Sequence, residues 1–129
     1  MAGATVHMTA IKQKTLQEVR EQLLKIQCIE EVSATKQIIN DVKICTAVFE
    51  MYYERTGSYT SATVVLTENG EEQTACIVAS GGGAGLLNHS YGANRDFAKS
   101  CVKKLETCGF VVTDSDIEQK QNLLQRIFK

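Results

Sequence analysis

Between residues 61 and 79, apolar and polar side chains alternate on both sides of an Asn69-Gly70 pair. A period of two is what a strand with one wet face produces, and Asn-Gly suits a two-residue type I′ turn because both residues tolerate positive φ. With Glu68 set opposite Glu71, the pairs Leu66/Gln73, Val64/Ala75 and Ala62/Ile77 share a mostly apolar face. Thr67/Glu72, Val65/Thr74 and Thr63/Cys76 then share a mixed one, the pattern of a sheet covered chiefly on one side. Opposing two glutamates is unfavourable, which leaves a longer loop or a shifted register open.

The pattern elsewhere completes the element order. Residues 5–12 read as a short opening strand. Thr15-x-x-Glu18 has capping-box spacing, and Leu16, Val19, Leu23 and Ile26 follow at helical intervals, which predicts a helix to about Gln27. Residues 31–54 read as two strands joined at Asn40-Asp41, with β-branched and aromatic content from Val42 to Tyr53. Leu86–Tyr91 fits one more strand. Asn94 then stands as an N-cap for a helix whose stripe is Ala98, Cys101, Val102, Leu105 and Cys108, with Gly109 at the C′ position. Ser115-x-x-Glu118 is a second capping box, ahead of an amphipathic helix marked by Ile117, Leu124, Ile127 and Phe128.

The order β-α-β-β-β-β-(β)-α-α, with short turns between consecutive strands, predicts an α+β fold. An antiparallel sheet of four to six strands carries two or three helices, packed mainly on one face. Residues 1–129 form a single domain in this reading, with 110–129 a C-terminal helical extension.

Composition narrows the function classes. Fourteen Lys+Arg against 15 Asp+Glu leave a net charge of −1, and no basic tract is present. Tyr52, Tyr53, Tyr59 and Phe49 could stack bases, but the basic residues that accompany stacking platforms are sparse, which argues against nucleic acid. No apolar run reaches the length of a membrane span, and Met1–Met8 lacks the features of a signal peptide, so the expectation is a cytoplasmic protein without membrane contact. The five cysteines are scattered, with no Cys-x-x-Cys pair, and read as buried thiols in a reducing compartment. No cofactor and no metal site is expected.

Ser80–Asn94 holds five of the nine glycines and one of the two histidines. Glycine-rich backbone can approach a phosphate closely or make a sharp bend. Gly81–Gly85 lacks the lysine of a P-loop, and Gly81-Gly82-Gly83 lacks the βαβ context of a dinucleotide fingerprint, which favours the bend. The candidate ligand-binding residues are Ser80, Gly81, Gly82, Gly83, His89 and Tyr91. On a strand His89 and Ser90 face opposite ways, so a catalytic dyad would depend on His89 without an orienting partner. No catalytic residue is assigned. Glu50, Tyr52, Glu54, Arg55 and Tyr59 form a further cluster that could bind a ligand on the sheet. Two Glu on one strand suit a solvated face, however, and cross-strand partners for Arg55 and a rim role for Tyr59 explain it better.

The run Val48–Tyr59 (VFEMYYERTGSY), the strand–Asn-Gly–strand hairpin, Ala79-Ser-Gly-Gly82 and the closing helix resemble a family of small bacterial domains, found largely in Firmicutes, with no assigned function. The specific part of the resemblance is Tyr52–Tyr59 and Ser80–Gly82. The glycines at 83 and 85 and the helix after Gly109 depart from that pattern. The resemblance implies a compact α+β fold and no catalytic residue.

The expected function is that of a non-enzymatic binding or protein-interaction module. It would self-associate, or meet a protein partner, through an exposed sheet edge or the last helix. The alternative is a small-molecule-binding domain with an apolar cavity between sheet and helix near Gly81–Gly85. An enzyme using His89 ranks below both.

Overall fold

A computed structural model describes residues 3–54, 57–81 and 89–117, with the side chains of 89–91 outside that description. Eight elements follow in order: β1 (Ala4–Ile11), α1 (Leu16–Leu23), β2 (Glu30–Ile39), β3 (Val42–Tyr53), β4 (Ser58–Asn69), β5 (Glu72–Ser80), α2 (His89–Glu106) and β6 (Val111–Ser115). The strands make one six-stranded sheet in the order β2-β3-β4-β5-β1-β6, every neighbouring pair antiparallel. The fold is therefore α+β, as the element pattern predicts.

Alternation places the core. Val6 and Met8 of β1, Cys45, Ala47 and Phe49 of β3, Val64 and Leu66 of β4 and Ala75 and Ile77 of β5 all point to one face. There they meet Val19 and Leu23 of α1 and Phe97, Cys101 and Leu105 of α2. The opposite face carries half-buried Thr5, Thr9, Thr46, Val48, Thr63 and Val65. Helix α2 lies across β5, β4 and β1, with α1 beside it.

Local chemistry explains the helix ends. Thr15 Oγ1 accepts the Glu18 N–H at 3.1 Å, and a Glu18 carboxylate oxygen accepts the Thr15 N–H at 3.0 Å, closing the capping box. These bonds hold the Glu18 carboxyl below its ordinary range. Helix α1 ends at Leu23 rather than near Gln27, and tighter turns carry the chain on: Ile26 N–H donates to the Leu23 carbonyl, and Ile26 stays buried without α geometry. At the far end of α2, Gly109 takes φ +91. Its N–H donates to the Glu106 carbonyl and that of Phe110 to the Leu105 carbonyl, both at 3.1 Å, which is the Schellman closure.

Three expectations are corrected. Residues 89–91 open α2 instead of ending a strand, and Asn94 lies inside the helix instead of capping it. The stripe extends toward the N-terminus: Ala93 is buried one turn before Phe97, which packs in the core, and a helix capped at Asn94 would leave Ala93 outside it. Residues 111–115, expected within the 110–129 helical extension, form a strand antiparallel to β1 instead. The third concerns the hairpin register. Asn69 pairs with Glu72 and Glu68 with Gln73, so the turn residues are Gly70 and Glu71, with φ +63 at Gly70. This shift removes the Glu68/Glu71 opposition while leaving every residue on its expected face. The helix expected after Ser115 falls from Glu118 onward outside the described residues.

Candidate functional site

The glycine segment is described only at its start. Ser80 closes β5, and its carbonyl accepts the Ser61 hydroxyl at 3.1 Å. Gly81 follows with φ +96, a backbone state that favours glycine. Thr60 sits under this corner, buried, with its hydroxyl near the Ser80 and Gly81 carbonyls and bonded to Asn94 Oδ1. A polar Thr60–Asn94 pair thus ties α2 to β4 beside the candidate residues. Gly82 and Gly83 lie outside the described residues. His89 and Tyr91 belong to the first turn of α2, and their side chains are likewise outside the description.

Of the aromatic–acidic cluster, Tyr52 and Tyr59 are cross-strand neighbours in β3 and β4. Their rings meet edge to face, with centroids 5.2 Å apart. Glu50 stands on the same face, opposite Glu30 of β2. Arg55 is outside the described residues. Among the described residues no group of three His, Cys, Asp or Glu is placed to hold a metal ion. None of the described helices is long and apolar enough to cross a membrane.

The most developed polar site lies at the other end of the sheet, by the Gly70-Glu71 turn. Glu68 is 6% exposed, at the end of the apolar face of β4. Its Oε2 meets Lys12 Nζ at 3.1 Å and Lys43 Nζ at 3.6 Å, and its Oε1 accepts from Gln73 Nε2 at 2.9 Å. Gln73, fully buried, also donates to the Lys14 carbonyl at 2.8 Å, and so clamps the segment between β1 and α1. Burial pushes the Glu68 carboxyl up, but hydrogen bonds from Gln73 and Lys12 and the charges of Lys12 and Lys43 outweigh it. The net effect holds the carboxyl below its ordinary value.

Beside this network runs a groove of about 240 Å³ between the start of α1 and the β2–β3 edge. Leu16, Ile38 and Cys45 are among the residues along it, and Lys12, Lys36, Lys43 and Glu68 line it as well. Lys36 is exposed and forms no ion pair among the described residues. Cys45 is buried, and that burial raises its thiol pKa against the pull of Arg20 and Lys36. Arg20 reaches from α1 to Glu31 of β2 through two bonds, at 2.7 and 2.5 Å, the forked geometry that suits guanidinium and carboxylate. Alternation puts Gln73 on the apolar face, where a polar side chain needs partners, and its amide N–H groups find them in Glu68 of β4 and the Lys14 carbonyl between β1 and α1.

These features define a small two-layer α+β domain, an open antiparallel sheet with helices on one side, a buried polar clamp at one end and a long bare edge. The chain belongs to DUF6054, a family of unknown function, whose model matches residues 1–109. No curated protein matches it.

Proposed function

We propose that the protein is a non-enzymatic interaction module that self-associates through strand β2, in a reducing, cytoplasmic setting. The observation that carries this reading is the state of that strand. It is ten residues long, stands at the sheet edge, and is exposed at every position but Glu31. Val32, Ile38 and Ile39 are 57%, 73% and 53% exposed. An edge of this length offers unpaired backbone donors and acceptors to a second strand. The opposite edge, β6, has five residues.

Side chains select one register. Val32 is the extra residue of a bulge, so Glu31 and Ser33 are successive partners of β3. A bulge and a lysine in mid-strand are devices that discourage indiscriminate edge pairing. An antiparallel copy with its two-fold axis at Ala34 sets Lys36 against Glu31 of the other copy, twice, and Thr35 against Ser33. An axis at Lys36 opposes two ammonium groups, and one at Thr35 puts Glu31 against Ile38. Only the Ala34 axis pairs charge with opposite charge.

The test is solution mass across a concentration series. The parent chain should form a dimer of twice 14.2 kDa. Ala34→Arg, an exposed substitution that places two like charges at the axis, should leave monomers. Ala34→Cys in a Cys28→Ala background should cross-link one copy to the other on oxidation. A parent that stays monomeric at every concentration overturns the reading. So does a dimer that tolerates Ala34→Arg.

A further inference from the structure

The groove beside Glu68 carries a second inference, which shares Lys36 with the register proposed above but whose site is built within one chain. On the helix-facing side of the β2–β3 pair, Lys36 stands opposite Cys45 and Ile38 opposite Lys43. Lys36 and Lys43 are therefore diagonal neighbours on one face, near enough for long side chains to reach a common point. Lys12 adds a third ammonium from the end of β1. Glu68 is the one carboxylate among the groove-lining residues, and Lys12, Lys43 and Gln73 already occupy it. Positive charge is thus in excess, and Lys36 is the cation without an internal partner among the described residues.

Between these cations the groove is apolar. Leu16 and Cys45 are 8% and 2% exposed, whereas Ile38 is 73% exposed and open to contact. Lysine stems extend apolar surface while their ammonium groups remain wet. The space, about 240 Å³, exceeds the ~150 Å³ cavity that accommodates benzene. An inorganic anion would leave the apolar surface unused, and a neutral hydrocarbon would leave the lysines unused. We propose that this groove binds a small monocarboxylate with an apolar body, its carboxylate at Lys36 and Lys43 and its chain over Leu16, Ile38 and Cys45.

The probes are butanoate, octanoate and uncharged octanol, titrated into the full chain and followed by calorimetry and backbone amide NMR shifts. Octanoate should bind one per chain, more tightly than butanoate, and move the signals of residues 16–17, 36–38 and 43–45. Octanol should not saturate. Lys36→Gln, at an exposed position that leaves the core intact, should weaken octanoate by about tenfold, the loss expected for one charge-assisted hydrogen bond. Absence of saturable octanoate binding overturns the proposal, as does equal affinity for octanol or for the Lys36→Gln chain. Shifts centred on Ser80–Gly81 would also overturn it, by assigning the ligand to the other end of the sheet.

Discussion

Glu68 of β4 lies directly opposite Gln73 of β5, and the Gln73 amide donates to its carboxylate at 2.9 Å. The contact is nonlocal in its consequences. Gln73 also donates to the Lys14 carbonyl, and the carboxylate it holds is the anion that Lys12 and Lys43 meet. Gln73→Leu preserves size and burial but leaves the Lys14 carbonyl and one carboxylate oxygen without a donor. Stability in urea should fall by about 1–3 kcal/mol, the cost of stranding buried acceptors.

The same carboxylate makes stability depend on acid. Its folded pKa lies below the ordinary glutamate value, so its contribution is complete above that value, about 4.3, and is lost as pH falls through the folded one. Between neutral pH and about 5 the Glu68 contribution should stay flat, then decline on further acidification. Glu68→Gln should be less stable than the parent at neutral pH and lose less between pH 5 and pH 3. Parallel pH curves for the two chains would show that Glu68 is not responsible.

Helix α1 has only eight residues, so its start matters. Thr15→Ala removes the hydroxyl that accepts the Glu18 N–H and should cost about 1 kcal/mol in denaturant unfolding. Thr15→Ser keeps the acceptor and should retain most of that stability.

Gly109 terminates α2 at φ +91, where an L side chain is strained, and a Cβ there would come within 2.6 Å of Gln13 Nε2. Gln13 is an exposed, flexible side chain that can move aside, so backbone strain should dominate. Gly109→Ala should therefore lower stability by about 1–2 kcal/mol. Adding Gln13→Ala should recover little of the loss.

The thiols should separate by burial. Cys28 is exposed, whereas Cys101 is fully buried, and burial pushes its thiol up to about 12. A thiol reagent at pH 8 should modify Cys28 rapidly in the folded chain and reach Cys101 only on unfolding. Equal rates at the two would contradict the packing of α2 on the sheet.

Features set by neighbours in the chain are legible before folding is considered. The Thr15–Glu18 box, the turn at Asn40-Asp41 with φ +48 and +69, the Gly109 stop and the inward face of the 61–79 hairpin all follow from spacing and local hydrogen bonding. Short-range geometry suffices for each. Tertiary structure decided what depends on a distant partner. Asn94 has the residue type of an N-cap, yet it lies inside α2, which already holds the buried Ala93, and its oxygen bonds Thr60. Val111–Ser115 becomes a strand because β1 has a free side to pair with. Glu68 and Gln73 become a buried clamp because a one-place shift of the turn sets them opposite each other, while the β3–β4 register sets Lys43 opposite Glu68 and the chain leaving β1 supplies Lys12. Periodicity assigns a face to each side chain. Which residue it meets there is settled by register, and register depends on packing across the whole sheet.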